Sequence, residues 1–161
     1  PKQVVFDRLQ DWTLRGEEGI KYYSGIAKYE KEFQIPEEFN RESSKEYFIN
    51  LGEVYDMARV WINGKDMGVV WTDPFQLKIT KALKPGINQI VIEVANRWPN
   101  RLIGDERLPD DGIKDGKWPD WFLKKQARTS GRFTFTTANF YTRDSPLLLS
   151  GLLGPVRILV Q

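Results

Sequence analysis

Hydrophobic and polar residues alternate along much of this chain. The segments Ala27–Ile35, Phe75–Ile79 and Gln89–Ala95 place apolar residues at nearly every second position, with charged or amide side chains between most of them; Lys31 and Val91 are the exceptions. Side chains two residues apart lie on the same face of a β-strand, so each segment has one apolar and one polar face. This period predicts half-buried strands of an antiparallel sheet, packed on one side and solvated on the other.

The clearest local signal is a β-hairpin within Met57–Thr72. Asn63 and Gly64 separate two apolar runs. A type I′ turn requires positive φ at both central residues, which Asn and Gly adopt more readily than other residues. Before the turn, Ala58, Val60 and Ile62 share one face. The hairpin therefore predicts the frame of an antiparallel sheet and places Trp71 at its far end, near the loops.

The remaining elements predict the fold class. Strands are expected at Val4–Phe6, Tyr47–Leu51, Phe133–Tyr141 and Val156–Val160, a helical turn capped by Thr80 at Thr80–Lys84, and a tight backbone turn at Gly151–Pro155. About eight strands separated by Gly, Pro and Asn, with no long helical period, predict an all-β antiparallel β-sandwich of the jelly-roll type. One segment, Asn96–Gly131, has little strand pattern, and a loop of this length is usually functional or flexible.

Composition narrows the function. A chain of 161 residues predicts one domain. Net charge is +2, from 24 basic and 22 acidic residues with the signs interspersed, so no nucleic-acid partner is expected. The absence of Cys and His excludes disulfides, Cys nucleophiles, Ser-His-Asp triads and His zinc sites within this chain. No apolar run has the length of a membrane span. The chain starts at Pro1 without a signal peptide, and we expect a fragment of a larger protein.

The long insertion is rich in tryptophan, which suggests carbohydrate recognition. Trp faces stack on the C–H faces of sugar rings, and Arg or Asp binds hydroxyl groups. The candidate carbohydrate-binding residues are Trp71, Trp98, Arg101, Asp105, Trp118 and Trp121. Two alternatives stay open: the tryptophans of the insertion could attach it to the sandwich, or they could pack against a neighbouring domain.

Neither catalysis nor a metal site is predicted for this chain. Glycosidases need two suitably spaced carboxyl groups. Glu53 with Asp56, or several acids within Asp105–Asp111, could be proposed from spacing alone, but surface charge explains these residues better. The stretch Asp110–Gly116 superficially resembles a calcium loop but lacks the EF-hand spacing and its bidentate Glu. We therefore expect no catalytic residue, metal ligand or cofactor, with structural calcium as an alternative.

Two groups of motifs carry a family resemblance over roughly Asp11–Val160. The first comprises Ser24–Tyr29, Phe33, Pro36, Leu51–Val54, Ala58–Gly68, Pro74–Phe75 and Ile79–Asn88. It resembles the sugar-binding jelly-roll domain of glycoside hydrolase family 2, a frame shared with the galactose-binding-like superfamily. The second, Asn96–Asp105 with Ser150–Val156, is more specific. It resembles the C-terminal β-sandwich of large bacterial α-L-rhamnosidase-like glycoside hydrolases, family 106 and its relatives.

The resemblance implies a single galactose-binding-like domain over residues 1–161, as a C-terminal fragment of a secreted bacterial glycoside hydrolase, periplasmic or extracellular. The catalytic carboxylates would lie on a separate barrel, and this domain would be a non-catalytic accessory. Its expected partners are an oligosaccharide or polysaccharide and the catalytic domain of the same chain. Bracing the barrel without binding sugar is the alternative function, and glycoside hydrolysis by this chain alone is a third hypothesis.

Overall fold

The computed structural model describes residues 3–39, 44–138 and 140–161. Within these residues it contains nine β-strands, three short α-helices and two 3₁₀ turns. The strands are β1 (Ile26–Ile35), β2 (Tyr47–Asn50), β3 (Glu53–Tyr55), β4 (Met57–Ile62), β5 (Lys65–Val70), β6 (Gln76–Lys78), β7 (Gly86–Ala95), β8 (Gly151–Gly154) and β9 (Arg157–Val160). The helices are α1 (Glu18–Lys21), α2 (Pro99–Asp105) and α3 (Asp120–Leu123), and the 3₁₀ turns are Trp12–Leu14 and Thr80–Ala82.

The chain divides into two compact units. The first comprises the residues up to Trp12, Gly25–Arg97 and Leu149–Gln161, and the second comprises Thr13–Ser24 and Trp98–Leu148. All nine strands belong to the first unit, and α1, α2 and α3 belong to the second. The long insertion singled out by its tryptophan content therefore supplies most of the second unit.

The first unit is an antiparallel β-sandwich, as the alternating pattern predicts. Its sheets have the strand orders β1-β7-β4-β5, β6-β2-β9 and β3-β8, and every pair is antiparallel. The core side chains are apolar residues at every second position of β4 and β7, joined by others from β2 and the loops. They include Ala58, Val60, Ile62, Ile90, Ile92, Val94, Ile49, Leu51, Ile79 and Leu83. Burial of one face of each strand thus fixes the register.

The predicted hairpin is confirmed. Asn63 and Gly64 have φ of 52° and 77°, and they join β4 to β5. The Asn63 side chain also donates to the Ala82 carbonyl and to Asn88 Oδ1, each at 2.8 Å. Its own oxygen accepts from the Gln89 N–H at 3.0 Å. Asn63 therefore both adopts the turn conformation and links the hairpin to the neighbouring loop and strand.

Two predictions at the ends of the chain are wrong. Val4–Phe6 forms no strand. Gly151–Pro155 is not a tight turn, because Gly151–Gly154 is strand β8, paired with β3. Glycines on both sides of this pair allow close approach: a Cβ on Gly151 would lie 2.3 Å from Trp12 Nε1, and a Cβ on Gly52, which precedes β3, would lie 2.3 Å from the Gly154 carbonyl oxygen. Glycine here indicates backbone contact rather than chain reversal.

Two further local predictions are wrong. The 3₁₀ turn Thr80–Ala82 follows Ile79 and has no side-chain cap; the Thr80 hydroxyl oxygen instead accepts from the Tyr47 N–H at 2.8 Å. The Phe133–Tyr141 run, described except for Asn139, forms no strand. Two of its N–H groups, at Phe133 and Thr134, bind a carboxylate instead of a neighbouring strand. In both places a side chain satisfies backbone groups that the pattern assigned to regular structure.

The second unit consists of loops and short helices. Asn100 is buried at the start of α2 and makes two hydrogen bonds to the backbone of Leu148, at 2.7 and 2.8 Å. Gly104 lies against Tyr22, since a Cβ there would come within 2.7 Å of that ring. The longest helix, α2, has seven residues, and within the described residues no helix is long and apolar enough to span a membrane.

Candidate functional site

A group of aromatic rings lies in the second unit. Trp118 stacks on Phe122 with a centroid distance of 5.0 Å and on Phe135 at 5.7 Å. Phe122 and Phe135 are 5.9 Å apart and nearly parallel, and Trp121 meets both phenylalanines edge-on. Trp118 is 43% exposed and Phe122 is 49% exposed. These rings, called the ring cluster below, therefore present apolar surface to solvent.

One arginine–aspartate pair holds the ring cluster in place. Arg128 donates to both carboxylate oxygens of Asp111, from Nε at 2.7 Å and from Nη2 at 2.6 Å. Its guanidinium also lies over the Trp121 ring, 5.2 Å from the centroid. Trp121 Nε1 donates to the backbone carbonyl of Asp111 at 2.9 Å. Asp111 thus positions Trp121 twice, through its own carbonyl and through Arg128.

Every nitrogen of the Arg128 and Arg132 guanidinium groups donates at least one hydrogen bond inside the unit. Arg128 Nη1 donates to two carbonyls in residues 132–134. Arg132 donates to Glu106 at 2.9 Å and to two carbonyls in residues 108–109 at 3.0 Å. Bidentate and charge-assisted bonds of this kind have a strict geometry. The bonds from these arginines to backbone carbonyls satisfy groups of residues 108–109 and 132–134 that a strand would pair with its neighbour.

A small cleft lies next to the ring cluster. Its lining includes Glu106, Asp110, Asp111, Phe135, Thr136 and Tyr141, and Phe135 belongs to both the cleft and the stack. The cavity volume is about 30 Å³, room for one or two water molecules. A ligand would therefore lie on the rings and reach into the cleft with single polar groups.

The outer lining of the cleft carries unused hydrogen-bonding groups. Within the described part of the chain, the hydroxyls of Thr136 and Tyr141 have no hydrogen-bond partner. Asp110 accepts from the Gly112 N–H at 3.0 Å, and its other oxygen lies 3.7 Å from Lys114 Nζ. In the same residues, no group of three acidic, His or Cys side chains is placed to hold a metal ion. An exposed apolar face beside hydroxyl and carboxylate groups suits a ligand with both kinds of surface.

The Arg128 guanidinium lowers the pKa of Asp111 from 3.8 to about 2, chiefly through the hydrogen bonds that it donates to the carboxylate. The folded-state pKa lies below the unfolded value, so the pair stabilises the protein fully above about pH 4. This stabilisation is lost as the pH falls from about 4 towards 2. Its size, from the difference in pKa, is about 2 kcal/mol.

Asp111→Asn should therefore lower the free energy of unfolding by about 2 kcal/mol near neutral pH, with a difference from wild type that shrinks to near zero at about pH 2. The measurement is urea unfolding across this pH range, followed by tryptophan fluorescence. Asp144→Asn is the control, because Asp144 is an exposed carboxylate of the same unit. A destabilisation by Asp111→Asn that does not change with pH would contradict the assigned role of the ion pair.

The tryptophans predicted from sequence fall in different places. Trp118 and Trp121 belong to the ring cluster. Trp71 belongs to the first unit and is 71% exposed, and Trp98 belongs to the second and is 67% exposed. Neither Trp71 nor Trp98 lines the cleft or joins the stack. The structure therefore brings together two of the four predicted tryptophans.

Arg101 and Asp105, also predicted from sequence, pair with each other inside the second unit. Asp105 is 1% exposed, and its Oδ2 accepts from the N–H groups of Phe133 and Thr134 and from the Thr134 hydroxyl. Arg101 Nη2 lies 2.9 Å from Asp105 Oδ1. The Arg101 guanidinium lies near the rings of Phe133 and Tyr22. This geometry connects α2 to the 133–134 segment and leaves the carboxylate no open face.

Several members of the site are missing from the sequence prediction. Phe122 follows Trp118 by four residues, but Trp118 precedes α3, so no helical period links the two rings. Phe135 lies in the aromatic and Thr-rich run for which the sequence predicts a strand. Asp111 and Arg128 are 17 residues apart, and no local pattern links them. Only the fold of the second unit shows that these side chains meet.

Comparison with known proteins relates the chain to glycoside hydrolases. No family model matches it. A putative beta-glucuronidase of Formosa agariphila is 44% identical over 160 residues, which cover 97% of this chain and 14% of that protein. The structure of a rhamnosidase from Novosphingobium sp. PP1Y is similar, with 34% identity and a TM-score of 0.75, over 97% of this chain and 13% of that one.

A third similarity supports the fold alone. A Ruminococcus gnavus beta-glucuronidase in complex with C6-substituted uronic isofagomine has 21% identity and a TM-score of 0.51, over 74% of this chain and 21% of the other. The chain thus spans about one seventh of the length of its Formosa agariphila and Novosphingobium relatives. Its homologues are glycoside hydrolases, and it matches a small part of these larger proteins.

Proposed function

We propose that this chain is a non-catalytic accessory domain of a larger glycoside hydrolase and that it binds carbohydrate at the ring cluster and its cleft. The observation that carries the proposal is the partly exposed stack of Trp118 and Phe122, connected through Phe135 to a cleft with unused hydroxyl groups. The similarity to a small part of two glycoside hydrolases supports the context.

The chemistry of a sugar fits this surface. One face of a pyranose ring is lined by C–H groups, which pack on an aromatic ring, while its hydroxyls need hydrogen-bond partners at the edge. Trp118 and Phe122 supply the exposed rings, and Thr136, Tyr141 and Asp110 supply the polar groups. Since the cavity is too small to enclose a ring, binding relies on stacking, and an oligosaccharide that crosses the surface should bind better than a monosaccharide.

Trp118→Ala should weaken oligosaccharide binding about tenfold, because it removes the largest exposed ring of the stack. The measurement is isothermal titration with rhamnose- and galactose-containing oligosaccharides, supported by chemical-shift changes at millimolar sugar. The thermal midpoint of each variant controls for loss of folding. No heat and no chemical-shift change with the wild-type chain would contradict the proposed function.

The same titration tests the other exposed tryptophans predicted from sequence. Trp71→Ala and Trp98→Ala leave the ring cluster intact, because neither residue contributes to it. Unchanged affinity in both would confine the site to the ring cluster and its cleft. A loss in either variant, without a change in thermal midpoint, would extend the site to that residue.

The wider context of the proposal follows the family resemblance. We place the whole of residues 1–161 in one galactose-binding-like domain of an α-L-rhamnosidase-like enzyme, exported to the periplasm or the exterior. Hydrolysis would occur on another domain of that enzyme. The purified chain should therefore show no turnover of an aryl rhamnoside. Turnover that a single Asp or Glu substitution abolishes would assign catalysis to this chain instead.

A second function, packing against the catalytic domain of the same polypeptide, has its own supporting observation. The second unit exposes large apolar side chains outside the ring cluster and its cleft, including Leu14, Trp98, Leu123 and Phe133. Where such side chains form a contiguous patch, the exposed apolar area is typical of an interface. Carbene footprinting of these residues, in the isolated chain and in a longer polypeptide with its catalytic domain, separates the two functions. Protection of Trp98 and Phe133 only in the longer polypeptide supports packing.

A further inference from the structure

Most of the charged side chains that line the cleft, but not all, have a close partner of opposite charge. Two guanidinium groups and three carboxylates line it. Asp111 is paired with Arg128, and Glu106 is paired with Arg132. Each guanidinium nitrogen of Arg128 and Arg132 already donates within the unit. Each guanidinium charge is therefore balanced by a carboxylate of the same lining, and the lining keeps one further negative charge.

Asp110 is the carboxylate that remains. Its nearest cation is Lys114 Nζ at 3.7 Å, and both side chains are more than half exposed. An exposed pair at this distance compensates charge weakly. Among the described residues, no lysine lines the cleft. A ligand that reaches past the rings therefore meets a negative charge and two neutral hydroxyls, those of Thr136 and Tyr141.

We propose that the cleft selects neutral saccharide segments and disfavours segments that carry a uronate. This inference rests on the proposed carbohydrate binding and adds a substrate class to it. A neutral sugar can donate a hydroxyl hydrogen to Asp110, which is a charge-assisted bond. A uronate carboxylate in the same place has no hydrogen to donate at neutral pH and repels Asp110. The cleft thus suits the neutral part of a glycan, whatever the catalytic domain cleaves.

The experiment compares matched ligands. A set of uronate-containing plant and microbial oligosaccharides is titrated into the chain before and after chemical reduction of the carboxyl groups, which converts each uronate into the neutral sugar. The reduced form should bind the wild-type chain about three- to tenfold more tightly at low salt. The preference should shrink in about 1 M salt, where the screening length falls to about 3 Å.

Asp110→Asn tests whether this carboxylate causes the preference. The amide can still accept from the Gly112 N–H, so the local turn is retained. The variant should bind both forms of each oligosaccharide with similar affinity. Asp115→Asn is the matched control, because Asp115 is an exposed carboxylate of the same unit outside the cleft, with a φ of 51° that Asn tolerates. It should keep the preference of the wild type.

The outcomes separate the two proposals. Equal or tighter binding of the uronate form by the wild type would overturn the selection of neutral sugars and leave carbohydrate binding intact. A preference that survives in Asp110→Asn would overturn the role of this carboxylate. An absence of binding by both forms throughout the set, at millimolar concentration, would overturn the proposed function together with this inference.

Discussion

Gly151→Ala is expected to lower the free energy of unfolding by about 3–5 kcal/mol, through overpacking and a strained backbone together. A Cβ at this position would lie 2.3–2.7 Å from three atoms of the Trp12 indole. The φ of Gly151 is +100°, which L-residues rarely adopt. Trp12 is fully buried and donates from its indole nitrogen to the Tyr29 hydroxyl, so it has little room to move.

Gly64→Ala is the matched control for this substitution. Gly64 also has a positive φ, 77°, but a Cβ there would meet no atom within 4 Å. Its loss should be limited to the backbone strain, about 1–2 kcal/mol. Urea unfolding of both variants, followed by tryptophan fluorescence, measures the difference. Equal losses in the two variants would show that the contact with Trp12 contributes nothing.

The sandwich was predictable from sequence where one face of a strand is buried. β1 and β7 largely alternate between apolar and polar residues, and β4 places Ala58, Val60 and Ile62 on one face, because the core covers one side of these strands. The β3–β8 pair was not predictable. Gly151–Gly154 has no alternation, and its glycines are explained by side chains distant in sequence, those of Trp12 and Leu9. Close backbone approach leaves the same sequence signal as a tight turn.

The second unit was less predictable for a related reason. Its stability depends on side chains that satisfy backbone groups across long separations, as Asp105 does for Thr134 at a separation of 29 residues. Composition alone indicated the insertion as the place of interest, and Trp118 and Trp121 do lie together there. The pairing of Asp111 with Arg128 and the position of Phe135 depend on how the loops fold. Loops leave no hydrophobic period in the sequence from which these contacts could be predicted.

Burial also changes the role that we assign to Asp105. A ligand-binding carboxylate must have an open face, whereas both oxygens of Asp105 are used or enclosed within the unit. Substitution distinguishes the two roles. If Asp105 contacts sugar, Asp105→Asn will weaken binding and leave the free energy of unfolding near that of wild type. If Asp105 anchors the 133–134 segment, stability will fall first, and binding will be lost only as the unit unfolds.

We expect the second result, and Asp105→Ala should lower the free energy of unfolding by about 3–5 kcal/mol, the usual effect of breaking a buried ion pair from one side. The substitution leaves Arg101 without its partner and removes the acceptor of the Phe133 and Thr134 N–H groups. Asp144→Ala, at an exposed site of the same unit, should change stability by less than about 0.5 kcal/mol. Urea unfolding monitored by tryptophan fluorescence is the measurement. If Asp105→Ala lowers the free energy of unfolding as little as Asp144→Ala does, Asp105 does not anchor the 133–134 segment. It would then again be a candidate carbohydrate-binding residue.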